Sequence, residues 1–370
     1  MLRRIALIIL LVAITISVHG QDKQPITFFL TFVPNIQFAP IYVAIEKGYF
    51  AEAGIELTLE HGDEPDGVNL IAAGERQFGM ISGEQVIAAR ANGRPVVSVY
   101  EWFQKYPIGI VVADDSGIES PADLRGRTVG IPGAFGASYT GLIALLTANE
   151  LTEADIQLES IGFNAPQVFC LGGVEAAVVY VNNEPTQIER LAQRGECGAV
   201  RGVRVFNVSD YADMVSNGII TNEDTIADDP ELVARFIIGF HNGVTLALNN
   251  PAEAYLMSLP YVDSLPRDPA LIAALQAEAD LDYDQGIGEY EEPGEGRAAV
   301  LERLRVAVPD VDWVQMEILI DTAQLWDALT PGSSDLESWQ TTQDILVSMG
   351  IVSAPIDLEN AFTNAFQPIG

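Results

Sequence analysis

The stretch that most constrains this chain is Thr31 to Leu57, TFVPNIQFAPIYVAIEKGYFAEAGIEL. A β-rich run, Ile26 to Phe32, leads into it. Pro34 and Asn35 stop the strand, and an apolar helical segment from Pro40 to Lys47 closes at Gly48. A helix that starts just past the carboxyl end of a sheet strand points its free backbone N–H groups into the crevice where open α/β sheets bind ligands. The segment therefore predicts a ligand-facing junction near Asn35.

The same alternation continues. Strands are expected at Glu56 to Glu60, Phe78 to Ile81, Val96 to Tyr100 and Ile108 to Ala113, with helices around Val68 to Ala73 and Glu84 to Ala91. After the turn Asp114-Asp115-Ser116-Gly117 a second series begins: strand Thr128 to Ile131, helix Ala137 to Asn149, strand Leu158 to Ile161, helix Ala165 to Leu171, and strands Ala176 to Val181 and Arg204 to Asn207. Asp228-Asp229-Pro230-Glu231 is a helix start, with an aspartate cap and proline in the first turn, and it opens the apolar helix Leu232 to Leu248. Helices Asp312 to Leu329 and Thr341 to Met349 follow. This pattern predicts an α/β protein of two lobes, each a mainly parallel sheet flanked by helices. Two crossovers are expected, near Ile108 to Ala113 and Ser216 to Thr221, with the ligand between the lobes. The expected division is 21–113 and 215–370 for lobe I and 114–214 for lobe II.

Residues 1–20 read as an export signal: Arg3 and Arg4, the apolar run Ile5 to Val18, and Val18-His19-Gly20 as a small-residue cleavage site. No cysteine stands near that site, so an exported protein without a lipid anchor is expected, in the periplasm or an equivalent extracytoplasmic space. Taking the leader's two arginines from the 19 basic residues leaves 17 against 52 acidic ones, net −35. Such a surface repels phosphate backbones and anionic headgroups, which argues against nucleic-acid and membrane-surface partners. Cys170 and Cys197 are the two cysteines; an exported context permits a disulfide between them, and two separate thiols are equally compatible with the sequence.

The opening segment, followed by Gly79-Met80-Ile81-Ser82-Gly83-Glu84-Gln85 and by Gly130-Ile131-Pro132-Gly133-Ala134-Phe135-Gly136-Ala137-Ser138-Tyr139, resembles the THI5/NMT1-like (SsuA/THI5) family of ABC-importer solute-binding proteins. The run GEQVIAARANGRPVVSVYEWFQKYPIGIV and the later Tyr180 to Pro185, YVNNEP, look most like members that bind riboflavin or the thiamine pyrimidine. The resemblance implies a type II periplasmic-binding-protein-like fold. It also implies a monomeric capture protein that hands its ligand to an ABC permease and, through it, to an ATPase subunit, with no cofactor.

Candidate ligand-binding residues lie at the strand ends. Asn35, Gln37, Phe38 and Tyr42 offer amides and rings at the first junction, with core packing as the rival role for Phe38 and Tyr42. Ser82, Gly83 and Glu84 stand at the next, where a helix cap alone would also explain serine and glutamate. Trp102, Phe103 and Tyr106 on one side, and Phe135 and Tyr139 on the other, could sandwich a conjugated ring. Tyr180, Asn182, Asn183 and Glu184 would pair with the polar edge of a neutral ligand. Gly133 and Gly136 are no phosphate loop, because no Gly-Lys-Ser/Thr follows.

Catalysis is not expected. Pyrimidine synthases of the resembled family hold pyridoxal phosphate on a lysine and consume a histidine; those positions fall here on Ile81 and Gln85, and the cysteine-rich run has no counterpart. The family's sulfonate, taurine and nitrate binders need positive partners, and Lys105 is the nearest base to the expected cleft. A neutral heteroaromatic vitamin fits better, riboflavin ahead of hydroxymethylpyrimidine or formylaminopyrimidine. Asp280, Asp282, Asp284 and Glu291 have calcium-loop spacing, but Gln285 replaces the sixth-position glycine, so a solvated acidic loop is expected.

Overall fold

The computed structural model describes residues 23–281 and 283–368. The expected leader lies outside them. So does Asp282 of the acidic loop, whose neighbours Tyr283–Gly286 form one helical turn.

Among the described residues, ten strands form two five-stranded sheets. They are β1 Gln24–Thr31, β2 Ile55–Gly62, β3 Phe78–Ser82, β4 Val96–Glu101, β5 Ile108–Ala113, β6 Thr128–Ile131, β7 Gln157–Ser160, β8 Ala176–Tyr180, β9 Val203–Asn207 and β10 Asn217–Asn222. The first sheet has the order β2-β1-β3-β10-β4 and the second β7-β6-β8-β5-β9. The helices that matter below are α1 Ala39–Glu46, α2 Glu64–Ala72, α3 Gly83–Ala91, α4 Gly136–Ala148, α5 Glu184–Gln193, α6 Pro230–Asn249 and α7 Val314–Trp326.

One expectation is corrected by the pairing. The sheets are mixed rather than mainly parallel, since β10 runs antiparallel to β3 and β4, and β5 antiparallel to β8 and β9. The reason is the path of the chain: β5 and β10 are the strands by which it enters each sheet from the other, so they run opposite to the strands that end at the cleft. The chain passes between the sheets close to where the two crossovers are expected: Ile108 to Ala113 is β5, an inner strand of the second sheet that follows the first connection, and Asn217 onward is β10, an inner strand of the first sheet that follows the second. The connections are the short segments 102–107 and 208–216.

Hydrophobic alternation sets the packing. In the first sheet, Phe28 and Phe78 meet Phe236 of α6, with Phe78 and Phe236 stacked at 4.0 Å. On the opposite face Ile71, Ile81, Val86 and Trp339 form a second cluster. Helix α6 is long and apolar enough to cross a membrane by length and composition, but its face from Leu232 to Val244 packs on α1 and the sheet. Gly243 permits that approach, because a Cβ there would collide with the Pro40 carbonyl. In the second sheet Ile110 and Val112 face Leu142 and Leu145 of α4, while Val111 faces Phe169, Val179 and Ile188. Cys170 and Cys197 are joined in a disulfide beside that second cluster, closing a separation of 27 residues.

Candidate functional site

A cavity that opens to solvent lies between the two sheets, with about 650 Å³ of space counting its open mouth. It is built where strands of both sheets end and helices begin. The first sheet and its loops supply Thr31, Phe32, Gln37, Phe38, Glu64 and Met80; the second supplies Pro132, Phe135, Gly136, Ala137, Ser138, Phe163, Tyr180 and Glu184. Phe103 enters from the connection between them.

Six of these residues are aromatic, and two pairs bridge the cleft. Phe32 meets Phe163 edge to face at 4.8 Å, and Phe103 meets Tyr180 in the same way at 6.5 Å. Phe32 carries a φ of 80°, unusual for a residue with a bulky side chain. The conformation is held where the His61 ring donates through Nδ1 to the Phe32 carbonyl at 3.0 Å, and holding it costs on the order of 1 to 3 kcal/mol.

The charged groups are few and acidic. Among the described lining residues there is no lysine, arginine or histidine; Lys105 points to solvent. Glu184 opens α5, where its carboxylate accepts from the Tyr180 amide at 2.8 Å and from the Asn183 side chain at 3.1 Å. Burial still pushes its pKa up to about 7. Gln37 faces the cavity while its Oε1 accepts from Asn182 at 2.8 Å, and Asn182 also donates to Thr322 of α7 at 2.8 Å. Glu64, the first residue of α2, is buried and accepts from the Ser82 amide at 2.5 Å. Beneath it Glu84 is fully buried, and neither of its carboxyl oxygens has a hydrogen-bond partner. Burial, and then the nearby charge of Glu64, push the Glu84 pKa up to about 8.

Of the residues singled out from sequence, Phe38, Phe135, Tyr180 and Glu184 meet at this cavity, together with Gln37, Phe103 and Gly136. The others stand behind it or away from it. Asn35 caps the turn before α1, accepting from the Gln37 amide at 3.0 Å. Tyr42 is buried and stacked on Tyr261 at 4.6 Å. Trp102 is enclosed by Phe38, Phe103, Phe240 and Trp326, so its ring faces are already used. Tyr106 donates to the Ala137 carbonyl at 3.0 Å and supports the wall from outside. Tyr139 turns outward to Glu153 at 2.6 Å. Ser82 and Glu84 lie under Glu64, and Asn183 supports Glu184.

Phe32, Glu64 and Phe163 were missed. Each sits within four residues of a strand end, so the junction rule that found Asn35 and Ser82 would have reached them if applied to β1, β2 and β7 alike.

A model of the NMT1/THI5 like family matches residues 35–254. The chain is 32% identical over 355 residues to the riboflavin-binding protein RibY of Chloroflexus aurantiacus, covering 94% of this chain and 87% of that one. It is 28% identical over 236 residues to a 4-amino-5-hydroxymethyl-2-methylpyrimidine phosphate synthase of Legionella pneumophila, and equally to the formylaminopyrimidine-binding protein of Halalkalibacterium halodurans; each match covers 63% of this chain, with 72% of the first relative and 69% of the second. In structure it is similar to the ligand-binding component of an ABC-type import system from Staphylococcus aureus, with a TM-score of 0.61, 10% identity, and coverage of 93% of this chain and 98% of that one. The two mixed sheets flanked by helices are the periplasmic-binding-protein-like architecture, and the chain belongs to the NMT1/THI5-like family.

Proposed function

We propose that this protein captures a neutral heteroaromatic vitamin, riboflavin first among the candidates, in the cavity between its sheets and delivers it to an ABC permease. The observation that carries the reading is a wall of six aromatic side chains, drawn from both sheets, whose only charged members are carboxylates. Rings from two sides can sandwich a conjugated ligand, each contact adding on the order of 0.5 to 1.5 kcal/mol beyond burial. A buried sulfonate or nitrate would find no cation there, and an unpaired buried charge is costly. The kinship with a riboflavin-binding relative along nearly the whole chain supports the same choice.

The second reading is a thiamine pyrimidine precursor, favoured by the pyrimidine-binding relative. Catalysis on such a ring is disfavoured, because Ile81 is a buried strand residue with no amine to hold an aldehyde cofactor. The capture protein is exported and monomeric, and it closes about the connections 102–107 and 208–216 as the ligand draws the two sides together.

Calorimetry against riboflavin, hydroxymethylpyrimidine, formylaminopyrimidine, thiamine and taurine tests the proposal. Sub-micromolar binding of one ring compound is expected, as is yellow, fluorescent protein if flavin is retained through purification. Tight taurine binding with no response to any ring would overturn it.

A further inference from the structure

The cavity wall contains an anion-binding position that the chain fills with its own side chain. Helix α3 begins at Gly83, directly after β3, and α4 begins at Gly136 in the second sheet's half of the cleft. Free N–H groups and the helix dipole make such starts attractive to anions. Here two of them converge on one group. The Glu64 carboxylate accepts from the Ser82 amide at the start of α3 through Oε1. Its Oε2 occupies the space beside Gly136 so closely that a Cβ on that glycine would collide with it. The Ala137 amide also stabilises the Glu64 charge. Gly136, with a φ of 64°, is suited to this place on two grounds: it leaves room for the carboxylate, and it adopts a left-handed turn without strain.

A second observation identifies which carboxyl holds the charge. Glu84 is fully buried, its two oxygens lack partners, and it lies near enough to Glu64 to feel its charge. Two buried carboxylates this close do not both ionise. Burial raises the Glu64 pKa as well, but the Ser82 and Ala137 amides oppose that rise, whereas burial and then the charge of Glu64 push Glu84 up to about 8; the negative charge therefore favours Glu64 and the proton Glu84.

We propose that Glu64 is a specificity-determining residue of the cleft: its carboxylate occupies, from within the chain, the place between α3 and α4 that an anionic ligand group would otherwise take, and so restricts the cavity to uncharged ligands. This deepens the proposed function by naming the residue that excludes anions, and it does not depend on which ring is bound.

The test is chemical rescue. Glu64→Ala removes the carboxylate and leaves a hole lined by donors; Glu64→Gln removes the charge and keeps the volume. Melting temperatures are measured with increasing sodium formate, with sodium chloride as the ionic-strength control, and taurine and riboflavin binding are measured by calorimetry. Wild type should respond equally to the two salts. Glu64→Ala should melt several degrees lower, recover with formate in a saturable manner, and gain about tenfold in taurine affinity, equivalent to about 1.4 kcal/mol. Glu64→Gln should also melt lower but show no formate response beyond that of chloride. The proposal is overturned if Glu64→Ala responds identically to formate and chloride, or if formate rescues both variants equally. Should Glu64→Ala fail to fold, Glu64→Gln decides alone: wild-type melting and unchanged taurine exclusion would overturn the proposal. The formate result stands whether or not riboflavin binds, so failure of the ligand assignment and failure of this assignment are separable.

Discussion

Trp102 and Phe103 are adjacent in sequence and belong to different regions of the molecule. Trp102 is enclosed in an aromatic cluster with Phe240 and Trp326, behind the cleft. Phe103 turns the other way and lines the cavity beside Tyr180. The two regions share a composition of rings and differ in whether the ring faces already have partners. Rings that close on one another stabilise the fold. Rings arranged around a space retain free faces, and such faces give binding.

The sharpest break of that comparison is Trp102→Ala. A filled ring cluster should lose about 3 to 5 kcal/mol of stability on such a truncation, measured by denaturant unfolding, with m unchanged. If riboflavin affinity falls and stability does not, Trp102 belongs to the wall and the division is misplaced.

The next effect is on pH dependence, through carboxyls buried behind and beside the wall. Glu84 is held at about 8, and Glu184 and Glu101 at about 7, all chiefly by burial. Each is raised above its unfolded value, so the folded state retains protons that the unfolded chain releases. The associated stability is fully present below about pH 4.5 and is lost as pH rises through 7 to 8. Glu84 faces Glu64, Ser82 and Tyr106, and its charge also reaches Tyr180. His61 and His241, held low by burial, oppose the trend below about pH 6.5. Stability should therefore fall by several kcal/mol between pH 5 and pH 8. Glu84→Gln should flatten the profile; an equally steep profile in that variant would place the cause elsewhere.

Phe135→Ala sharpens the other half. This ring is only partly buried and touches the cavity, so its loss should weaken riboflavin binding by about 1 to 3 kcal/mol while the melting temperature hardly moves. A large drop in melting temperature at constant affinity would make it core. The smallest effect is expected at Tyr139, whose hydroxyl leaves the cleft for Glu153. Tyr139→Phe should change stability by about 0.5 kcal/mol at most and leave calorimetric affinity at the wild-type value.

Much of the fold was legible because it is local. Periodicity placed β1, β3, β5 and β6 within two residues of their observed ends, and the Asp229-Pro230 start opened α6 as expected. Helix α5 was obscured by Pro185, which reads as a turn residue but is also suited to the first turn of a helix. Strand direction was not legible: whether β5 runs with or against β8 depends on which sheet the chain is leaving, and no residue within β5 records that.

The sequence by itself determined that strands end at a crevice, that the chain near those ends is rich in aromatic and amide groups, and that bases are scarce there. Tertiary structure decided which member of each junction faces the space. Asn35 and Gln37 are two residues apart, and the turn between them sends one to cap the backbone and the other to the cavity. Glu64 looks like an ordinary acid in the first turn of a helix. Its role exists only because the Ser82 amide, 18 residues later, and Gly136 of the opposite sheet are brought to the same carboxylate. Local propensity is set by neighbours in the chain, whereas the direction a side chain faces is set by what packs against it, and those partners come from segments the chain reaches only by crossing twice between its sheets.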